Sequence, residues 1–209
     1  IEIMASLFPD YDVIKKQKQK PTKGELQILD SLIENLDDGF EIYWQPYLNG
    51  DQPDIVVVRP KSGILIIEVK DWDLKNYLVD SKERWHLKSN NQIIKSPLSQ
   101  VNKYKWNLVN LHIDTLLEKT IRHPGYFSLI NTLLFFSKNT EEEVYKFFNN
   151  NYKEKKLRYI QLFGIDSLNP QRIQTALEKA RMEKDSNYFD EQLYLNVKRY
   201  LKPPYHQIE

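Results

Sequence analysis

The chain has 209 residues, of which 41% are hydrophobic and 12% aromatic, so it is long and apolar enough to bury the core of one domain. Lys and Arg number 30 against 29 Asp and Glu, which excludes a uniformly basic nucleic-acid-binding protein and leaves only local basic surfaces. No apolar run approaches the roughly eighteen residues of a membrane span, and cysteines and a signal-peptide pattern are absent, so we expect a cytoplasmic protein that makes no membrane contact.

The N-terminal segment shows little periodicity, and we expect residues 1–20 to form an arm. Five lysines fall between Lys15 and Lys23, and Lys153 to Arg158 contains three lysines and one arginine. Each run is either a contact for a nucleic acid or an ordinary solvated face. The sequence leaves both interpretations open.

The first helix is predicted to begin at Thr22 or Lys23 and to end before the turn at residues 37–39. Its apolar stripe has three- and four-residue spacing, which is typical of a helix packed on a core. The stripe consists of Leu26, Leu29, Ile33 and Leu36. Glu25 lies in the first turn, where it either forms a capping box with Thr22 or contributes to a metal site.

After a predicted strand at Phe40 to Tyr47, residues 53–72 form the pattern of a buried hairpin, in which two β-branched runs flank a turn containing Pro and Gly. If the turn spans Arg59 to Gly63, Val58 pairs with Ile64 and Asp54 lies opposite Glu68. A turn shorter by one residue would instead put Asp54 opposite Val69.

In the first of these registers, three charged side chains share one face of the hairpin. Cross-strand partners have Cβ atoms roughly 5 Å apart, and Lys70 falls on the same face as Glu68 because the side-chain period of a strand is two. Two carboxylates this close repel each other unless a cation lies between them, and Mg²⁺ prefers such oxygen ligands. Asp54 and Glu68 therefore predict a metal site. Beside it, the Lys70 ammonium could stabilise the negative charge that develops on a phosphate during hydrolysis.

A weaker strand pattern follows, at Tyr77 to Val79, Arg84 to Leu87 and Gln92 to Ile94, and predicts a hairpin excursion from the sheet. Ser96 and Pro97 then mark the start of a second helix, which we expect to continue to about Leu117. Gln100 and Tyr104 are four residues apart and lie on one face of it. Taken alone, the pair is more simply interpreted as a surface glutamine beside a core tyrosine.

The remaining elements complete an alternating order of helices and strands. Ser128 to Phe136 predicts a central strand covered on both faces, and a short helix follows from the cap at residues 139–140 to Phe148. A last strand is predicted at residues 159–163, with two further helices at about 170–182 and 190–201. The four histidines, His86, His112, His123 and His206, have no metal-ligand spacing and are interpreted as structural or surface residues.

The sequence resembles the PD-(D/E)xK nuclease superfamily, and within it the nuclease-related domain family, NERD. The resemblance spans about Lys20 to Phe136 and is carried by Gly24-Glu25, by Asp54 before an apolar run, by residues 63–70 ending in Glu68-Val69-Lys70, by Trp85, and by Ser96 to Gln100. It implies an α/β fold with a restriction-endonuclease-like core in the order αβββαβ, a mixed central sheet flanked by helices. Residues 21–165 would form this domain, and residues 166–209 a helical extension.

The resemblance also implies roles for individual residues. Asp54 and Glu68, with Glu25, match the metal-binding acids for Mg²⁺ or Mn²⁺, and Lys70 matches the catalytic lysine. Gln100 matches a catalytic glutamine, and Gln100 with Tyr104 fits the Q-x-x-x-Y signature of RecB-like nucleases, in which both residues position DNA. Members of the family commonly have Asn after the motif lysine, where this chain has Asp71.

The function implied is metal-dependent hydrolysis of DNA, and two other hypotheses compete with it. One is a nuclease-like module that binds DNA or a protein with little activity of its own. The other is a regulatory domain that needs a further domain for activity. Family members are often fused to a helicase, and the Pro-rich segment from Lys202 to Tyr205 would suit such a junction. We therefore expect a bacterial DNA-processing or phage-defence protein, and a homo-oligomer is compatible with the sequence.

Overall fold

The computed structural model describes residues 3–47, 50–109 and 123–201. The strands are β1 (Ser6–Phe8), β2 (Glu41–Trp44), β3 (Ile55–Arg59), β4 (Gly63–Lys70), β5 (Tyr77–Val79), β6 (Trp85–Leu87), β7 (Ile93–Ile94), β8 (Ile130–Phe136) and β9 (Ile160–Gly164). The helices are α1 (Tyr11–Lys16), α2 (Lys23–Asn35), α3 (Pro97–Asn107), α4 (Glu141–Asn151), α5 (Glu154–Leu157), α6 (Pro170–Lys179) and α7 (Glu191–Tyr200).

Six of the strands form one mixed sheet, in the order β1-β2-β3-β4-β8-β9. β2, β3 and β4 are antiparallel, whereas β4, β8 and β9 are parallel to one another, and β1 runs parallel to β2. Parallel neighbours need a crossover, and the chain between β4 and β8 supplies it with the excursion and α3. The predicted fold class is confirmed, because this mixed sheet flanked by helices is consistent with a restriction-endonuclease-like core.

The hairpin of β3 and β4 has the predicted register but a shorter turn. Val58 pairs with Ile64, as predicted, and Arg59 also pairs with Gly63. The prediction of a five-residue turn from Arg59 to Gly63 is therefore wrong, and the turn contains residues 60–62. Lys61 adopts a positive φ of 66°, a conformation that allows so tight a reversal. Continued by one step, the register places Asp54 opposite Glu68.

Both faces of the sheet are covered. Alternate residues of the central strands, such as Leu65 and Ile67 in β4, pack against α2 and α6. Their neighbours, such as Ile64 and Ile66, pack against α3 and α7 on the other face. The apolar runs at residues 64–67 of β4 and 133–136 of β8 follow from this burial on both faces.

The first and last of the described segments are integrated into the core. Ser6–Phe8, in the segment expected to be an arm, pairs with β2, and Ile14 of α1 is completely buried. The helices expected to form an extension cover the sheet through Ile173 and Leu193, among others. A three-residue strand has too little periodicity to be recognised in a sequence. The Pro-rich segment beyond residue 201 lies outside the described residues.

The excursion forms a separate three-stranded sheet of β5, β6 and β7, close to the predicted bounds. Trp85 anchors it, since its indole is fully buried and donates a hydrogen bond to the Tyr152 hydroxyl at 2.7 Å. α3 begins at the predicted cap, but its predicted continuation to Leu117 falls largely on residues 110–122, outside the described part. In residues 3–47, 50–109 and 123–201, no helix has the length and apolar character needed to cross a membrane.

Candidate active site

The candidate site lies where β4 ends beside β8. Glu68 and Lys70 project to the same side, as their two-residue spacing predicts, and the Lys70 ammonium donates a hydrogen bond to Glu68 Oε1 at 2.9 Å. Lys70 Nζ also donates to Gln100 Oε1 of α3 at 3.1 Å. The structure thus brings the motif acid, the motif lysine and the helix glutamine together.

The N-terminal turns of α3 are fixed by a strong cap, which positions Gln100. Ser96 Oγ accepts the backbone N–H of Ser99, and Pro97 occupies the first turn. One turn later, the amide of Gln100 donates to the Tyr104 hydroxyl at 2.7 Å, which confirms that the two side chains share a face. Burial raises the pKa of Tyr104, so it remains a neutral phenol. Gln100 is therefore held between two partners, with its amide oxygen toward Lys70 and its amide nitrogen toward Tyr104.

Asp54 stands at the entrance to β3 and is linked to β4 through the backbone. Its Oδ2 accepts the N–H of Val69 at 2.7 Å. Burial raises the pKa of Asp54 well above its usual value, and repulsion from Glu68 raises it further. The pKa of Glu68 is also raised, mainly by burial, although Lys70 opposes this shift. The structure therefore places two carboxylates where ionising both is unfavourable without a further cation.

The donor set fits a hard divalent cation. Glu68 is 4% exposed, and its Oε2 has no hydrogen-bond partner among the residues described. An ion such as Mg²⁺ would satisfy that oxygen and relieve the repulsion from Asp54. In the described ranges, no group of three Asp, Glu, His or Cys side chains is arranged to hold a metal. Two carboxylates suffice for Mg²⁺, which usually completes its coordination with water and substrate phosphate.

Glu25 forms the predicted capping box. Its Oε2 accepts the N–H of Thr22 at 2.8 Å, and the Thr22 hydroxyl accepts the N–H of Glu25 at 3.2 Å. The same carboxyl lies at the edge of the site, where burial raises its pKa and hydrogen bonding with Asp54 lowers it. The capping function is confirmed, and the contribution of Glu25 to a metal site stays a prediction.

Asp71, which directly follows the motif lysine, connects three elements. Its carboxylate accepts the backbone N–H of Gly24 at 3.3 Å and a hydrogen bond from the Ser137 hydroxyl. Ser137 N in turn donates to the carbonyl of Lys70 at 3.1 Å. Asp71 therefore fastens the N-terminus of α2, where a negative charge is favourable, to the ends of β4 and β8.

This contact predicts that Gly24→Ala destabilises the protein by about 1–2 kcal/mol. A Cβ at residue 24 would lie 2.0 Å from Asp71 Oδ1 and 2.8 Å from Ser137 Cβ, and overpacking of this kind costs about 1–3 kcal/mol. The gain in helix propensity works in the opposite direction but is at most about 1 kcal/mol. Urea denaturation measures the difference, with Lys23→Ala at the adjacent exposed position as the control. Equal stability of the two variants would contradict the prediction.

Two residues near the site were not singled out by the sequence. Lys95 lies close enough to Glu68 for its charge to lower the Glu68 pKa. The ring of Trp72 lies 5.2 Å from Lys70 Nζ and stacks on Tyr77 at a centroid distance of 4.6 Å. The available signals were weak: Lys95 directly precedes the cap of α3, and Trp72 follows Lys70 by two residues.

A basic groove opens at the same end of the sheet. It has a volume of about 520 Å³ and lies between the excursion and α4, beyond the paired strand ends at Lys70 and Phe136. Two acids, Asp73 and Glu143, and four lysines line it, namely Lys75, Lys88, Lys138 and Lys146. A nearly neutral chain thus concentrates positive charge at the end of the sheet where the candidate site lies.

The two basic runs in the sequence are exposed. Lys156 forms an ion pair with Glu83, whereas Lys15 lies 4.7 Å from the ring of Tyr11. His86, interpreted as structural, lies in the excursion and contacts Asp80 at 2.8 Å. His123 is exposed, and the other two histidines lie outside the described residues.

Comparison with known proteins agrees with this geometry. No curated protein and no solved structure matches the chain. A sequence model of the nuclease-related domain, NERD, matches residues 20–137, which is more than half of the 209 residues. The matched segment contains every residue that the structure assembles around Lys70. The chain therefore belongs to the nuclease-related domain family.

Proposed function

We propose that this protein is a metal-dependent nuclease that hydrolyses DNA phosphodiester bonds. The observation that carries the proposal is the convergence of the buried Glu68 carboxylate and the partly buried Asp54 carboxylate with the Lys70 ammonium at the end of β4. A structural role alone gives no reason to keep two mutually repelling acids there, because apolar residues would pack at lower cost.

Asp54 and Glu68 would hold Mg²⁺ or Mn²⁺, and Glu25 would support the site from α2. When bound, the ion would polarise a phosphoryl oxygen and lower the pKa of a bound water. The chain itself supplies the rigid frame. The Val69 N–H holds Asp54 through Oδ2.

Lys70 would stabilise the negative charge that develops on the phosphate during hydrolysis. Its ammonium is held by Glu68 and Gln100, so little reorganisation is needed when that charge appears. Gln100 and Tyr104 would keep Lys70 in place and contact the DNA backbone. The lysines of the groove between the excursion and α4 would attract the polyanion.

The test is cleavage of labelled single- and double-stranded DNA with Mg²⁺, with Mn²⁺ or with EDTA. We expect cutting only with a metal, and we expect Mn²⁺ measured by calorimetry to bind about tenfold or more weakly to Glu68→Gln, since that variant loses a charged ligand. Glu34→Gln is the matched control, because Glu34 is an exposed residue of α2.

Cutting that persists in EDTA would overturn the proposal. Metal binding without cutting of either DNA would favour the nuclease-like binding module or the need for a further domain. The cleavage rates of single-stranded DNA, double-stranded DNA and an RNA strand, compared with one another, show which type of nucleic acid the protein prefers. Fusion to a helicase and a role in DNA processing or phage defence stay predictions of the family resemblance.

A further inference from the structure

A second cavity lies near the opposite end of the sheet from the candidate active site. Its volume is about 550 Å³, within the range of small-molecule sites. It lies between α3, the segment that leads into β8, and the end of α6. Three basic side chains and three aromatic ones dominate the described lining, which includes no Asp or Glu: Lys105, Lys179, Arg181, Trp106, Phe127 and Tyr159.

Lys105 is the unusual member of this lining. It is only 6% exposed, and its ammonium lies 3.8 Å from the centroid of the Phe127 ring and 5.9 Å from that of Tyr159. Within the described part of the chain, it contacts no carboxylate and no hydrogen-bond acceptor. A cation–π contact compensates only part of the cost of burying a charge. An anion in the cavity would supply the missing partner.

Burial lowers the pKa of Lys105 to about 8. The side chain therefore still carries its positive charge in most molecules at neutral pH. Lys179 and Arg181 add two exposed cations at the rim. The cavity thus has a buried positive charge and an outer pair that could hold the remaining oxygens of a phosphate.

Two of the three aromatic residues are exposed. Trp106 is 48% exposed and Tyr159 is 67% exposed. Trp106 also packs on Phe127, with ring centroids 5.0 Å apart, which limits its movement. Exposed aromatic rings beside cations are the features on which nucleobases stack.

Along the sheet, the cavity lies away from the motif residues of the candidate active site. Asn131, which lines the cavity, pairs with Leu65, whereas Lys70 pairs with Phe136. Five residues of extended strand separate Asn131 from Phe136, a distance of about 17 Å. Lys105 also plays no part in the proposed hydrolysis.

We propose that this cavity binds a mononucleotide unit, either as a free nucleotide or as one nucleotide of a strand. The phosphate contacts Lys105, Lys179 and Arg181. The base stacks on Trp106 or Tyr159. Since stacking accepts every base, the site has little base preference.

Calorimetric titration of the whole chain in EDTA tests this proposal, with AMP, dTMP, adenosine, ribose 5-phosphate and a short oligo(dT) as probes. We expect AMP and dTMP to bind saturably, and adenosine and ribose 5-phosphate to bind about tenfold or more weakly, because each lacks one half of the recognised unit. Oligo(dT) that binds no better than dTMP identifies a free nucleotide as the ligand, and much tighter binding identifies a strand.

Lys105→Met retains the volume and apolar stem of the side chain and should weaken AMP binding about tenfold or more. At least one of Trp106→Ala and Tyr159→Ala, both at exposed positions, should weaken AMP binding but leave ribose 5-phosphate binding unchanged. Lys82→Met, in an exposed turn of the excursion, is the charge-matched control. The Asp54→Asn variant, which is changed in the candidate active site, should bind AMP with the same affinity as the wild type. The outcome of this test therefore does not depend on whether the nuclease proposal is right. Absence of saturation by either nucleotide, or unchanged AMP binding by Lys105→Met, would overturn the proposal.

Discussion

Asp54→Asn should abolish DNA cleavage and make the metal-free protein more stable. Asparagine keeps an oxygen that accepts the Val69 N–H. It also removes a carboxyl group whose ionisation is opposed by burial and by the negative charge of Glu68. We expect a stability gain of about 1 kcal/mol in EDTA, or about 2–4 °C in melting temperature for a chain of this size. Cleavage should fall about a thousandfold or more, because a bound metal contributes several kcal/mol to catalysis.

The pH dependence of this stability gain has a definite sign. The folded-state pKa of Asp54 lies above its unfolded value, so the wild type loses stability as the pH rises through the folded pKa. The advantage of Asp54→Asn should therefore be largest above that pKa and vanish below the unfolded value of about 4. Thermal denaturation in EDTA across this pH range measures the trend. A stability advantage that shrinks as the pH rises would contradict it.

Asp54→Ala provides the matched comparison. It removes the same charge but leaves the Val69 N–H without its acceptor, which costs about 1–3 kcal/mol for a buried donor. Both variants should be inactive, yet Ala should be the less stable of the two by roughly that amount. Added Mg²⁺ should stabilise the wild type and neither variant. Such a pattern separates a site kept for metal binding from an acid kept for folding.

The core of the site was predictable because regular elements position it. Two-residue periodicity placed Glu68 and Lys70 on one face, and the β-branched runs set the hairpin register that brings Asp54 to them. Four-residue spacing likewise placed Gln100 and Tyr104 together on α3. These relations depend only on local geometry, so the sequence alone contains them.

The other features depend on contacts between distant segments. Lys95 and Trp72 reach the site through the irregular chain that enters and leaves the excursion, where side-chain direction follows no period. β1 forms only because an edge beside β2 is available, and the cavity around Lys105 combines residues from α3 with Tyr159 and Lys179. The spacing of residues within a single helix or strand carries no information about such contacts between different elements. The capping box of Glu25 was recognisable, but its position next to Asp54 was not.

Lys70→Met should lower kcat for DNA cleavage by about a hundredfold or more while changing KM much less. The ammonium contributes mainly when charge develops on the phosphate, and the loss of one preorganised donor of this type costs about 10²–10³ in rate. Arginine should not restore activity, because its planar group cannot reproduce a point charge held between Glu68 Oε1 and Gln100 Oε1. Single-turnover cleavage at saturating Mg²⁺ measures the effect, and Lys82→Met is the control.

Gln100→Ala distinguishes the chemical role of Lys70 from its positioning. That substitution leaves the ammonium bound to Glu68 but removes the second of its two side-chain hydrogen bonds, so the fall in kcat should be smaller, about tenfold. Lys70→Met additionally removes the larger of the two lysine charges, Lys70 and Lys95, that oppose the raised pKa of Glu68. Protons should then compete with the metal for Glu68, and Mn²⁺ affinity in this variant should recover as the pH rises. Equal losses in both variants, with no pH dependence of Mn²⁺ binding, would mean that Lys70 acts only by orienting Gln100.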